Sequence, residues 1–253
     1  MLSSKKRIKI IKAQYGRKPI GARKVYRLLK RSIRKRRPIS VIRLGDVMAK
    51  LLARHNIKSL YSVSKFLGIK LPPSQRMLKR IDRAVRSAHV VGLSHYKGSA
   101  RLLRAYMRKT KWRPRIVTDS FINDRLYEGG YLHRLLKRYR VALVGRAAPE
   151  AARRLRGQGI RIPLTVSLER SGELNRAQKL LRRKRKKYDL VFVGGGVPGR
   201  ILCTRVVKKA RRSAVEIGHM MDALSHPHAW SKKGDSRRVF KKRWLRKLNR
   251  KKR

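Results

Sequence analysis

Short, mostly apolar segments alternate with amphipathic segments through most of the sequence. Seven apolar runs follow residue 38, at positions 39–44, 89–93, 115–119, 141–145, 160–166, 190–194 and 214–218. Between several of them, apolar residues recur at helical spacing, at positions 76–85, 100–108, 149–156, 174–187 and 199–210. Strands that alternate with helices predict right-handed crossovers, and strands without polar alternation predict a sheet covered on both faces. The pattern predicts an α/β, Rossmann-like domain at residues 38–224, with a mostly parallel sheet and helices on both faces.

The two ends of the chain follow a different pattern. Residues 1–37 contain no acid, and Ile20, Val25 and Leu29 recur at helical spacing among Lys and Arg. This predicts a basic amphipathic helical extension that ends at Pro38. Residues 225–253 form a basic C-terminal tail whose apolar residues also have helical spacing. Either end could contact the domain, a membrane surface or nucleic acid.

The charge of the chain is extremely one-sided. Lys and Arg number 73 against 12 Asp and Glu, which gives a formal net charge of +61 over 253 residues. Like charge at this density destabilises a compact state unless anions bind, so the composition predicts an anionic partner. Nucleic acid, an anionic membrane surface and an anionic polymer each fit. Aromatic residues make up only 6% of the chain, so stacking on single-stranded bases has little support.

Cysteine content and hydropathy bear on the compartment. The one cysteine, Cys203, excludes an internal disulfide and lies in a predicted helix, where we expect it to be a small core residue. A single free cysteine is typical of a reducing compartment. No apolar stretch approaches the ~20 residues that a transmembrane helix needs. We therefore expect a cytoplasmic protein, peripheral at the membrane if lipid is its anionic partner.

A glycine-rich segment after the apolar run 190–194 is the strongest local motif. It has the spacing G-x-G-x-x-G between a predicted strand and a predicted helix, with Arg200 one residue later. Glycine lets the backbone approach a phosphate, and the helix N-terminus offers unpaired N–H groups. Glu216 ends the next predicted strand, where an acid would meet a ribose hydroxyl. The segment predicts a nucleotide-phosphate site built from Gly194, Gly195, Gly196, Gly199 and Arg200. The alternative is a tight turn that needs glycine only for its backbone.

The few acids gather at the ends of predicted strands. The first strand delivers Arg43, Gly45 and Asp46, and Asp119 and Glu216 end later strands. Ligands of open α/β sheets bind in the loops beyond the carboxyl ends of strands. These carboxylates are therefore candidates for metal, ribose or catalytic-base roles. For Asp46 and Asp119 the alternative is capping of a helix N-terminus.

Three segments together resemble the GT-D type glycosyltransferases, a bacterial, Rossmann-like family that uses nucleotide sugars. They are 39–46, the glycine segment and 215–219, and the resemblance covers residues 38–224. It implies a nucleotide-sugar donor and a divalent metal, Mn or Mg, on the diphosphate. It further implies catalytic roles for Asp46, Glu216 and His219 and metal ligation by Asp46 and Asp222. The residues that the resemblance implies in donor binding are Arg43, Gly45, Gly194, Gly195, Gly196, Gly199 and Arg200.

The sequence departs from the family pattern at one chemically important position. The family's Asp-x-Glu is Asp46, Val47 and Met48 here. A thioether is a poor substitute for a carboxylate on a hard cation. Three interpretations remain: a metal on Asp46 and a distant acid such as Asp222, Lys and Arg in place of the metal, or loss of catalysis.

Three functions therefore compete. The first is transfer of a sugar from a nucleotide sugar to an anionic or surface acceptor. The second is a non-enzymatic, polyanion-binding protein on the same scaffold. A dehydrogenase built on 194–216 ranks lowest, because too little sequence follows the glycine segment for a full dinucleotide-binding half.

Overall fold

Seven parallel strands form the centre of the structure, a computed structural model that describes residues 2–228. The strands lie in the order β3-β2-β1-β7-β6-β4-β5, and every pairing between neighbours is parallel. The predicted Rossmann-like α/β fold is confirmed. The strands are β1 Ser40–Leu44, β2 Val90–Leu93, β3 Ile116–Asp119, β4 Val141–Gly145, β5 Leu164–Val166, β6 Leu190–Gly194 and β7 Ser213–Glu216.

Helices occupy most of the chain between the strands. None of those within residues 2–228 is long and apolar enough to cross a bilayer. Most of the predicted tail, 225–253, lies outside the described residues. The α-helices are α1 Ser4–Tyr15, α2 Ala22–Arg34, α3 Asp46–Ala53, α4 Ser64–Leu67, α5 Gln75–Ser87, α6 Lys97–Thr110, α7 Ile122–Glu128, α8 Tyr131–Arg138, α9 Ala148–Arg156, α10 Leu174–Arg183, α11 Gly196–Ala210 and α12 Met220–Ser225.

The sheet is covered on both faces, as the unbroken apolar runs predict. Successive side chains of a strand point to opposite faces. Accordingly, Val191 and Val193 of β6 pack in one apolar core, and Leu190 and Phe192 pack in the other. The first core also receives α3, α5, α6, α10 and α11, and the second receives α2, α7, α8, α9 and α12. Cys203 is fully buried in the first core.

Five strands are shorter than the apolar runs that predict them. The strands β1, β2 and β3 begin one residue later, and the larger differences are at β5 and β7. The run 160–166 pairs only over Leu164–Val166, although Ile160 and Ile162 are buried. Pro163 lacks the N–H that a ladder needs, which confines pairing to the residues after it. The last strand ends at Glu216 rather than at residue 218, where Gly218 has φ +51°. That conformation belongs to a turn and not to a strand.

The first 37 residues contain two helices, and both contact the α/β domain. The helix α2 buries Val25 and Leu29 against the second core, and Ile20 bridges to Thr118 beside β3. The helix α1 ends at Gly16, which has φ +64°. On α1, Arg7 is only 1% exposed.

Burial of Arg7 depends on an acid at the end of β3. Its Nε donates to Asp119 Oδ2, and its guanidinium lies 5.4 Å from the centre of the Phe121 ring. Asp119 also accepts from the Phe121 backbone N–H with Oδ1, at 3.0 Å. Asp119 therefore holds the turn that precedes α7 and also anchors α1. It is not the N-cap of that helix, which is Phe121 and has no side-chain cap hydrogen bond.

We predict that Arg7→Met lowers the free energy of unfolding by about 3–5 kcal/mol, because Asp119 would be left buried without its cation. Urea denaturation measures the change. Lys9→Met removes an exposed cation of the same helix and should change stability by less than about 0.5 kcal/mol. Equal effects of the two substitutions would contradict the role given to the Arg7–Asp119 pair.

Candidate functional site

A cleft of about 200 Å³ opens at the carboxyl edge of the sheet. The loop after every one of the seven strands contributes to its wall, and residues 65–67 close one side. Across the sheet, β2 and β3 lie on one side of β1 and β4 to β7 lie on the other. Such a reversal of strand order is where open α/β sheets bind ligands.

The cleft collects most of the residues singled out in the sequence. Gly199 is not part of its wall; it lies one turn into α11, where a Cβ would come within 3.0 Å of Val193. Tight packing of helix on strand explains that glycine. The residues brought together are Arg43, Gly45, Asp46, Gly194, Gly195, Gly196, Arg200, Glu216, His219 and Asp222.

A buried ion pair lies under the cleft. Arg43 of β1 donates from Nε to Glu216 Oε2 at 2.6 Å and from Nη2 to Oε1 at 2.8 Å. Arg43 is 9% exposed and Glu216 is 1% exposed. Burial opposes ionisation of Glu216, but the charges of Arg200 and Arg43 outweigh it and lower the pKa of the carboxyl. The sequence identifies both residues but contains no sign that they pair.

Arg43 also ties together the loops around the cleft. Its Nη1 donates to Asn123 Oδ1 at 2.8 Å, and Asn123 Nδ2 donates to the carbonyl of Ile217 at 2.9 Å. A Cβ on Gly218 would collide with the Arg43 guanidinium. The glycine after β7 therefore leaves space for the ion pair.

Arg200 is the second cation in the floor of the cleft. Its Nε donates to the carbonyl of Arg43 and its Nη1 to the carbonyl of Gly196, each at 2.8 Å. Its Nη2 lies 3.8 Å from Glu216 Oε1. Burial lowers the pKa of Arg200, and the carboxylate of Glu216 opposes that shift. Two guanidiniums thus share one buried carboxylate.

The glycine turn is packed closely by the protein itself. A Cβ on Gly194 would lie 2.7 Å from Met221, and one on Gly195 would lie 2.8 Å from Leu168. Gly196 has φ +59°, and its Cβ would lie 2.6 Å from the carbonyl oxygen of Leu67. These contacts account for the three glycines without a ligand. The turn also leads into the start of α11, and its three glycines line the cleft.

His219 is held by an acid that the sequence does not mark. Its Nε2 lies 2.7 Å from Asp124 Oδ1. The side chain of Asp124 is fully buried, whereas that of His219 is 14% exposed. A carboxylate on one ring nitrogen fixes the tautomer and the orientation of the imidazole.

The acids at the cleft do not suit a divalent metal. Asp46 is exposed, but Met48 is buried in the core, and burial raises the pKa of Asp222 to about 7. Within residues 2–228, no three His, Cys, Asp or Glu side chains are grouped so that they could hold a metal ion. Hard cations need several ionised oxygen ligands. The residues present therefore do not fit the metal site that the family pattern implies.

Several residues of the wall were not anticipated. The aromatic ring of Tyr96 follows β2, in the segment 94–99, and Arg146 follows β4. Both residues come just after predicted strands, and this position could have indicated that they lie at the cleft. Lys65 lies in the segment between α3 and α5. No predicted strand ends near this segment, so the sequence does not show that it reaches the cleft. The unanticipated residues include Lys65, Tyr96, Phe121, Arg146 and Glu169.

Comparison with known proteins agrees with this architecture. A family model described as a GT-D fold-like domain matches residues 20–224, and the chain belongs to this GT-D-like family. No curated protein matches the sequence significantly.

Two solved structures share the fold. One is described as a new glycosyltransferase, of domain of unknown function 1792, from Streptococcus sanguinis; it has 16% sequence identity and a TM-score of 0.57, over 83% of this chain and 85% of that one. The other is a selenomethionine-substituted structure of domain of unknown function 1792, with 14% identity and a TM-score of 0.54, over 88% and 84% of the two chains.

A double-mutant cycle tests whether Arg43 and Glu216 act as one unit. We expect Glu216→Leu to lower the free energy of unfolding by about 3–5 kcal/mol, because it leaves the guanidiniums of Arg43 and Arg200 without their shared carboxylate. Arg43→Met should lower it by less, because Arg200 still lies 3.8 Å from Glu216. The double variant should lose much less than the sum. Urea denaturation of the four proteins measures the coupling.

The matched control is the same cycle on Arg125 and Glu128, a partly exposed pair 2.7 Å apart. Its coupling should stay below about 1 kcal/mol. Additive losses at Arg43 and Glu216 would show that the pair does not organise the floor of the cleft.

Proposed function

We propose that the protein binds a nucleotide sugar in the cleft and transfers the sugar to a hydroxyl of an acceptor. Membership of the GT-D-like family supports a glycosyltransferase scaffold. The observation that carries the proposal is the charge of the cleft floor. Two guanidiniums, those of Arg43 and Arg200, are held in the floor beside Glu216. Asp119 and Asp124 act on Arg43, and Asp46 acts on Arg200, at longer range. Charged N–H groups held in place at the cleft favour an anion beside them.

The diphosphate of the donor is the anion that we assign to this position. As the bond between the anomeric carbon and the diphosphate oxygen breaks, its electron pair stays on the diphosphate. Cations fixed around the leaving group stabilise that charge. The cations that would stabilise the leaving group are Lys65 and Arg146 at the wall and Arg200 in the floor. No step is assigned to a metal, because the acids of the cleft do not fit one.

Asp46 is the residue we assign as the base. It follows β1 at the mouth of the cleft, is exposed, and takes part in none of the ion pairs found within residues 2–228. Its carboxylate would accept the proton of the acceptor hydroxyl while the hydroxyl oxygen bonds to the anomeric carbon. Glu216 has both oxygens engaged by Arg43. We therefore assign Glu216 a positioning role.

His219 would contact the sugar of the donor. Asp124 holds one ring nitrogen of His219, and the imidazole lies in the wall between the ends of β6 and β7. A fixed imidazole is suited to hydrogen bond a hydroxyl or to share in proton transfer. Asp222 lies deeper, with a pKa raised to about 7 by burial, so it is only partly charged at neutral pH.

A second function, binding of a polyanion without catalysis, is favoured by two observations. The family's second carboxylate is replaced by the buried Met48, and the net charge is +61. A protein of this kind would bind nucleic acid with an affinity that falls steeply as salt increases.

Isothermal titration with uridine diphosphate and its sugars, with manganese and with EDTA, tests the proposal. We expect binding under both conditions. In a transfer or hydrolysis assay, Asp46→Asn should lower the rate by about 100-fold or more while the affinity for uridine diphosphate is kept.

Lys65→Ala should weaken nucleotide binding, whereas Lys58→Ala, an exposed lysine outside the cleft wall, should leave it unchanged. Failure of every nucleotide sugar to bind at millimolar concentration would sink the enzymatic proposal. Salt-sensitive binding of nucleic acid alone would then favour the second function.

A further inference from the structure

A second, larger groove lies beside the cleft, between α6, the segment after α1 and the edge of the sheet at β3. Its volume is about 820 Å³, and we call it the α6 groove. No acidic residue lines it, and six cations do. They are Arg17, Arg101, Arg104, Arg108, Lys111 and Arg113.

The cations are arranged in a row and not scattered. Arg101, Arg104 and Arg108 are spaced by three and four residues, so they share one face of α6. Lys111 and Arg113 follow the end of the helix, and Arg17, after α1, donates from Nη1 to the Pro114 carbonyl at 3.0 Å. Among residues 2–228, none of the six is paired with a carboxylate. A row of this kind matches an extended chain that carries repeated negative charges.

The α6 groove leads to the cleft. A cavity of about 570 Å³ lies between them, and Arg101 lines both this cavity and the α6 groove. Asp46, Tyr96 and Phe121 line both the cavity and the cleft. A chain bound along α6 would therefore bring its end to the carboxylate that we assign as the base.

Aromatic rings along this path distinguish between kinds of anionic chain. Binding of single-stranded nucleic acid uses aromatic faces for successive bases. Within the part of the chain that the structure describes, the α6 groove has one aromatic residue, Tyr15, whose hydroxyl donates to the Ser94 carbonyl at 3.0 Å. The rings of Tyr96, which is 52% exposed, and Phe121 lie instead beside Asp46. There they can pack against a sugar at the chain end.

We propose that the α6 groove binds the acceptor of the transfer reaction, an anionic glycan that carries carboxylate or phosphate groups, and directs its terminal hydroxyl to Asp46. The inference rests on the proposed function for the identity of the reaction. It adds the class of acceptor and the surface that selects it.

Two triple variants test the proposal. Arg101→Gln/Arg104→Gln/Arg108→Gln removes three charges from the α6 groove. Arg176→Gln/Lys179→Gln/Arg183→Gln removes three exposed charges from α10 at the same spacing of three and four residues. Fluorescence anisotropy at 150 mM salt, with labelled oligogalacturonate and a labelled phosphorylated mannan oligosaccharide, measures glycan binding. Because both variants lose the same charge, the long-range attraction between protein and anionic glycan falls equally in the two.

We expect the α6 variant to bind at least one of the two glycans about tenfold more weakly than the wild type, because charge-assisted contacts are lost. The α10 variant should differ from the wild type by less than about threefold. The glycan that responds identifies the charged group. Equal losses of glycan affinity in both variants would overturn the proposal. It would also be overturned if single-stranded RNA of equal charge bound the wild type more tightly than either glycan and lost affinity only in the α6 variant.

Titration of both variants with uridine diphosphate separates the two proposals. If the α6 variant still binds the nucleotide and its glycan binding is unchanged, the proposed acceptor groove is rejected and the proposed transferase is not. Absence of nucleotide binding already in the wild type rejects the proposed transferase. Circular dichroism spectra that match the wild type confirm that both variants are folded.

Discussion

The ion pair between Arg43 and Glu216 is the interaction on which the candidate site depends. It joins the ends of β1 and β7, two strands that are neighbours in the sheet but lie at opposite ends of the domain's sequence. Through Asn123 it also holds the first turn of α7 against the loop after β7. Removal of Glu216 would leave two guanidiniums without their shared carboxylate, so its cost is large. Because Arg200 contacts the same carboxylate, two cations are held in fixed positions in the floor of the cleft.

Much of the fold is encoded in local pattern. The strands Val141–Gly145 and Leu190–Gly194 have the same bounds as the apolar runs that predict them, because a doubly covered strand must be apolar throughout. The gathering of Asp46 and the glycine turn was also predictable, since the carboxyl ends of parallel strands meet at one edge. The order of the strands, by contrast, depends on contacts between distant segments, for which one sequence contains no signal.

The partners of the charged residues could not be predicted for the same reason. Arg7 looks like one more cation of a solvated basic helix, yet Asp119, 112 positions away in the sequence, makes its burial tolerable. Asp124 has no distinguishing pattern around it in the sequence, and only the fold brings it to His219. Met48 is the opposite case: the family pattern marks the position, and the structure shows that the thioether belongs to the core. The charge balance of the site, which decides between a metal and a set of cations, emerges only in three dimensions.

The central claim is that the cleft at the carboxyl edge of the sheet holds the diphosphate of a nucleotide by means of fixed cations. A crystal structure of the protein with uridine diphosphate, obtained with and without manganese, tests it most directly. The account predicts the diphosphate between Gly45, the turn at 194–196 and Arg200 in both crystals. A nucleotide bound elsewhere, such as along the α6 groove, or in the cleft only through a manganese ion, would contradict it.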